Sequence, residues 1–239
     1  MREQVQVIYS DEAIVVANKP AGITVIPERQ HPDLDTVQTI LEKQFGRLWV
    51  VHRIDKYTSG VLCFARNEQA HRHLSLQFQN HEVTKIYLAV AGGRMQATQG
   101  EINEPIAENM AHPGTMLVHK RGKEAHTIYQ VVEEFKHASL LKVQIKTGRT
   151  HQIRVHLAYI GNPLLVDDIY AKREAFYFST LKRNYKPGAE EERPTIARLT
   201  LHASEVTFTH PVSGLKVTYT APLPKDIETL LKLLRKYDL

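Results

Sequence analysis

Short runs of β-branched and other apolar residues come in adjacent pairs along this chain, joined by turn-forming segments, and that spacing restricts the fold more than any other feature. Residues 5–9 and 14–17 flank Ser10-Asp11-Glu12, residues 127–133 and 139–145 flank Phe135-Lys136-His137, and residues 205–209 and 216–220 flank Pro211-Val212-Ser213-Gly214. Consecutive strands joined by so few residues pair antiparallel, because a parallel pair needs a long crossover. Further extended segments are expected at 23–26, 61–65, 83–90 and 199–201. Helices fall between them: one capped by Asp35 and closed by Gly46, one from Asn67 to about residue 80, one capped by Thr150 and stopped by Gly161, and an amphipathic one after Pro224 with Ile227, Leu230, Leu231 and Leu234 on one side. Strict strand–helix alternation is absent. The expected class is therefore α+β, with a mixed, mostly antiparallel central β-sheet flanked by helices. No repeat or linker interrupts the pattern, so residues 1–239 are expected to form a single domain. Residues 94–124 read as loop-rich, and residues 186–194 as a mobile loop.

A chain of 239 residues with 42% hydrophobic and 24% charged residues can bury a sizeable core. The net charge of +5 is compatible with a polyanionic partner but is weak evidence for one. Cys63 is the single cysteine, which rules out an internal disulfide and fits a reducing compartment. The first residues, Met-Arg-Glu-Gln-Val, lack the apolar core of a secretion signal, and no run approaches the roughly 20 apolar residues of a membrane span. A soluble, cytoplasmic protein is expected, with no membrane partner.

Several chemistries lack their sequence signatures. There is no Walker-type phosphate loop, no G-x-G-x-x-G, no H-E-x-x-H and no C-x-x-C. His151 and His156 on one helix would point about 140° apart, a poor ligand pair, so neither a metal nor another cofactor is expected. His52-Arg53-Ile54-Asp55 departs from the kinase H-R-D by one inserted residue, and the remaining kinase motifs are missing.

Two stretches remain. Asp55 lies among His52, Arg53 and Lys56, ahead of the turn-like Thr58-Ser59-Gly60. Nearby positive charge favours the ionised carboxylate, which suits a nucleophile, a base or an electrostatic role and suits a general acid poorly. Lys146, Arg149 and Arg154 cluster at the expected start of a helix, where the dipole already favours anions; they read as phosphate ligands, as a partner for Asp55, or as solvated cations beside a helix cap. Taken alone, Tyr87 in a half-buried strand reads as core.

Together the motifs resemble the RluA-type pseudouridine synthases. Asn18-Lys19-Pro20-Ala21-Gly22 is similar to that family's N-K-P-x-G. His52-Arg53-Ile54-Asp55 with Thr58-Ser59-Gly60 is similar to its H-R-[LI]-D-x-x-T-S-G. Lys85-Ile86-Tyr87, Gly122-Lys123-Glu124-Ala125 with Thr127, the run from Thr147 to Arg154, and Leu201-His202-Ala203 follow in the family's order. Val166-Asp167 departs from its usual Gly-Asp, and no S4-type RNA-binding module is expected before Asn18.

The resemblance implies a pseudouridine synthase fold and cofactor-independent isomerisation of uridine in RNA, on a stem-loop of ribosomal or transfer RNA. It implies Asp55 as the essential carboxylate, at C1′ or at the C2′ proton, and Arg149 as its salt-bridge partner. Tyr87 would stack on the target base, Ile153 would pack against the site, and Arg53 would fill the place of a flipped nucleotide. The cations Lys120, Arg121 and Lys123, with Lys146 and Arg154, would bind phosphates. Nothing demands more than a monomer. An RNA-binding module without catalysis and an N-glycosidic hydrolase are the competing readings.

Overall fold

The computed structural model describes residues 4–27, 34–182, 185 and 191–239. Its contacts divide the chain into two compact units, Met1–Ile86 with His202–Pro222 and Tyr87–Leu201 with Leu223–Leu239. Each is built on a mostly antiparallel sheet with few helices, in keeping with the α+β class.

In the first unit, β1 (Gln6–Ser10) and β2 (Ile14–Lys19) form the expected hairpin. The Asp11 carboxylate closes its turn by accepting from the backbone N–H groups of Ala13 and Ile14, each at 2.8 Å. The 23–26 segment is not a strand. The carbonyls of Thr24 and Val25 accept instead from Val37 and Gln38 at the start of α1 (Val37–Phe45), so the segment spends its backbone groups on a helix end. Thr36 caps that helix, in place of the expected Asp35, because its hydroxyl and that of Thr39 form a reciprocal capping box. Asp35 pairs with Lys43 at the surface.

A two-residue strand, β3 (Trp49–Val50), leads into the Asp55 stretch, and β4 (Ser59–Ala65) leads out of it, antiparallel to β3. Every residue of β4 is buried, which explains its unbroken apolar run. Asn67 caps α2 (Glu68–Gln79) as expected, and α2 packs on β4.

The second unit takes over within β5 (Thr84–Gly92). Residues 94–124 hold more structure than expected: β6 (Gln99–Asn103) and a hairpin of β7 (Ile106–Glu108) and β8 (Met116–Val118). These strands are short or polar, so apolar periodicity does not reveal them. β9 (His126–Glu134) and β10 (Ala138–Ile145) form the expected pair, and β6 adds to β9. In this unit α3 (Gln152–Tyr159) starts later than expected, after His151 in a left-handed conformation (φ 54°), and Thr150 does not cap it. The expected 186–194 loop lies mostly outside the described residues.

The expected strand at 199–201 is not separate. Its last residue opens β11 (Leu201–Thr209), which returns to the first unit and pairs with β12 (Lys216–Thr220). α4 (Lys225–Tyr237) lays Ile227, Leu230, Leu231 and Leu234 into a core with Val90, Leu165 and Phe176. No helix of the described residues is long and apolar enough to cross a membrane.

Candidate active site

Asp55 sits in the connection between β3 and β4, and that connection is held at three points within the first unit. Upstream, His52 stacks on Phe78 with ring centroids 4.6 Å apart, and its Nε2 accepts from the Cys63 backbone N–H at 3.1 Å. That bond places the ring proton on Nδ1. Burial first, and the Lys85 charge second, push the imidazole down to about 3, so His52 is a neutral pin at ordinary pH. Ile54 is buried beside it, whereas Arg53 is exposed and Asp55 half-buried.

Downstream, the Asp55 carbonyl accepts from the Thr58 N–H at 3.1 Å and closes a turn whose tip, Tyr57, is exposed. The third hold comes from Asn18-Lys19-Pro20-Ala21-Gly22. The Lys19 side chain is fully buried, and its ammonium donates to the carbonyls of Lys56 (2.8 Å), Ile23 (2.7 Å) and Pro20 (3.0 Å). Gly22 N–H reaches the same Lys56 carbonyl at 2.8 Å. A buried cation is tolerable when all three of its donors are met, and here one of the three is met at the residue after Asp55.

The strand that follows is locked in turn. β4 begins parallel to β11, with Ser59 opposite His202 and Gly60 opposite Ala203. Gly60 has φ +121°, and a Cβ there would fall 2.1 Å from the Ala203 carbonyl oxygen, so the position admits only glycine. The Ser59 hydroxyl donates to His202 Nδ1 at 2.9 Å, and His202 Nε2 donates to the Ala221 carbonyl at 3.2 Å. Thr58-Ser59-Gly60 and Leu201-His202-Ala203, separate motifs in the sequence, therefore interlock.

Tyr87, Arg149 and Ile153 belong to the second unit. Tyr87 is buried on β5, and Ile153 is buried on the first turn of α3. Arg149 lies in the loop from β10 to α3; its Nε donates to the Glu124 carbonyl at 2.8 Å and its backbone N–H to Gln152 Oε1 at 3.0 Å. Gln152 is the hub, a role that sequence reasoning missed. Buried, it also accepts from the Thr147 hydroxyl (2.7 Å) and donates through Nε2 to the His126 carbonyl and Thr127 Oγ1, both at 3.0 Å. Thr127 passes its own proton to His156 Nδ1 (2.9 Å), and His156 Nε2 donates to the Glu104 carbonyl (2.9 Å). This assignment needs a neutral His156, and burial, as the largest cause, lowers its pKa accordingly. The available signal was the set of polar residues, Thr127, Thr147, Gln152 and His156, at otherwise apolar strand and helix positions.

Arg154 is a correction. It was expected to hold phosphate, but it is buried and bidentate to Asp167 (both bonds 2.7 Å), with its guanidinium 5.0 Å from the centre of the Tyr170 ring. Its charge is committed to an internal carboxylate. Asp167 also caps its own loop through the N–H groups of Ile169 and Tyr170, which gives the Val166-Asp167 turn its shape. The other expected phosphate ligands, Lys120, Arg121, Lys123 and Lys146, are exposed. Gly122 holds the loop of Lys120, Arg121 and Lys123 against β7, where a Cβ would meet the Ile106 backbone at 2.5 Å. Among the described residues, no three histidine, cysteine or acidic side chains are placed to share a metal ion.

The family description "RNA pseudouridylate synthase" matches residues 13–159. A ribosomal large subunit pseudouridine synthase D of Zymomonas mobilis is 34% identical over 96% of this chain and 72% of its own length. The protein of that name from an Escherichia coli O6:H1 strain is 36% identical over 96% of this chain and 70% of its own. Among solved structures, human RNA Pseudouridylate Synthase Domain Containing 4 superposes with a TM-score of 0.72 at 25% identity, covering 96% of this chain and 93% of that one. With the motifs interlocked as described and a match over most of its length, the chain belongs to the RNA pseudouridylate synthase family.

Proposed function

We propose that this enzyme isomerises a specific uridine in a structured RNA stem-loop to pseudouridine, with Asp55 as the essential carboxylate. The observation that carries the reading is the hold on the Asp55 turn, where the buried Lys19 ammonium, the Gly22 N–H and the Thr58 N–H fix the backbone that follows one half-buried carboxylate and His52 pins the backbone before it. Such rigidity is what a reacting group needs, since small misplacements at a reacting centre are costly.

The reaction breaks the bond from C1′ to N1 and forms one from C1′ to C5. The C5 hydrogen leaves to solvent and N1 acquires a proton, so no redox partner is required. An ionised carboxylate serves either by adding at C1′ or by removing the C2′ proton. Arg149 is the charge partner assigned to it, from a loop that Gln152 and Glu124 fix. Tyr87 stacks on the uracil, and Ile153 packs beneath the site. The exposed Arg53 takes the place of the uridine flipped out of the stack. Lys120, Arg121, Lys123 and Lys146 hold phosphates and contribute affinity without sequence preference. The names of the bacterial relatives favour ribosomal RNA as the first substrate to try, with transfer RNA second.

The test is tritium release from ribosomal RNA labelled at uridine C5. Release with the base still attached to ribose is expected. Free uracil would indicate a hydrolase, and binding without release a module that has lost catalysis.

A further inference from the structure

Thr58 and Ser59 are adjacent hydroxyl residues, both buried, at 1% and 2% exposure, and they differ in one respect. Ser59 has a built acceptor in His202. Thr58 Oγ1 is fully enclosed and, among the described residues, has no hydrogen-bond partner. Leaving a buried hydroxyl unmet costs stability, and a folded chain rarely keeps one without a reason. Valine would fill the same volume at no such cost, so packing alone does not account for threonine here.

The backbone shows what the hydroxyl is near. Thr58 is the fourth residue of the turn that Asp55 opens, and the 3.1 Å bond between Thr58 N–H and the Asp55 carbonyl brings the two Cα atoms within about 7 Å. The Lys56 carbonyl between them is pinned by Lys19 and Gly22, so the turn cannot open to separate them. Solvent does not reach Oγ1, and the Asp55 side chain belongs to the same four-residue turn. A carboxylate has several lone pairs and accepts more than one donor.

We propose that Thr58 is a positioning residue whose hydroxyl donates to the Asp55 carboxylate when RNA occupies the site, orienting the carboxylate for its step. The inference rests on the reading of Asp55 as the essential carboxylate. It makes the unmet hydroxyl a stability cost in the RNA-free protein that is offset by a bond formed in the working complex.

The experiment compares Thr58→Val, Thr58→Ser and Asp55→Asn by tritium release under saturating and limiting RNA, alongside denaturant unfolding. Thr58→Val is expected to lower kcat about ten- to a hundredfold, the size of one hydrogen bond to a charged group, with KM within about threefold of wild type. Its unfolding midpoint should be equal to or above that of wild type. Thr58→Ser keeps the donor and should retain kcat within about threefold, while losing some stability with its methyl group. A Thr58→Val kcat within twofold of wild type overturns the proposal. So does a Thr58→Ser enzyme as slow as Thr58→Val, or a rate loss that merely follows a lowered midpoint. Undiminished release by Asp55→Asn would instead overturn the reading of Asp55 itself, whereas an inactive Asp55→Asn beside an unimpaired Thr58→Val would overturn the Thr58 proposal alone.

Discussion

Around Asp55 the chain is held by reach: one long buried side chain, Lys19, crosses from the β2 end to catch the Lys56 carbonyl, and a neutral His52 pins the other flank. Around Arg149 it is held by short range, through a relay of Gln152, Thr147, Thr127 and His156 in which each polar atom meets a neighbour. Both arrangements fix the backbone that carries one charged side chain, Asp55 or Arg149. The difference lies in redundancy. The first depends on one side chain, Lys19, beside the Gly22 N–H, for its hold on the Lys56 carbonyl, and the second spreads its hold over four side chains. Losing Lys19 should therefore displace Asp55 at once, whereas losing one member of the relay should loosen the Arg149 loop by degrees.

The largest effect should come from outside that comparison and mark its limit. Arg154→Leu strands the buried Asp167 carboxylate and should cost about 3–5 kcal/mol in urea unfolding. RNA affinity measured just below the transition should keep its salt dependence, whereas Lys123→Ala should reduce the salt slope by about 1 and leave stability unchanged. An Arg154→Leu protein of normal stability with a reduced salt slope would restore Arg154 to the phosphate-binding set.

Next is Lys19→Met, which keeps the apolar stem and removes the donors. It should cost about 3 kcal/mol and slow tritium release strongly. Gln152→Leu, the equivalent change in the second loop, should cost about 2 kcal/mol and slow release less. Equal rate effects from the two variants would remove the contrast in redundancy.

The smallest effect is the pH dependence that His52 gives the Asp55 side. The folded-state pKa of His52 lies at about 3, below its ordinary 6.5, so the unfolded chain binds the proton first as pH falls. Stability from this group is present above pH 6.5 and declines below it, by about 1 kcal/mol between pH 6.5 and 5.5. His52→Gln, whose carbonyl can still accept from Cys63, should lessen the decline over that interval by about that amount. An unchanged pH dependence would mean that the ring is protonated in the fold.

The contrast also explains what could be read from the residues alone. Asp55 stood out because its charged neighbours are contiguous, and the strand pairs because their turns are short. Lys19 gave no local sign of being buried, since its three acceptors lie at residues 20, 23 and 56. Arg154 looked like Arg149 five positions earlier, and only burial and a carboxylate thirteen residues away separate them. Thr36 displaced Asp35 as a cap because Thr39 completes a reciprocal pair. β7 and β8 escaped notice because three residues are too few to show a period.

The central claim is that a rigidly held Asp55 performs the chemistry while other residues bind the RNA. Single-turnover tritium release by Asp55→Asn, with RNA affinity and unfolding midpoint measured on the same preparation, tests it most directly. The expected result is release abolished, affinity within about tenfold of wild type and an unchanged midpoint, because phosphate contacts dominate binding. Release at an appreciable fraction of the wild-type rate, or a loss of activity that only follows a loss of RNA binding, would contradict it.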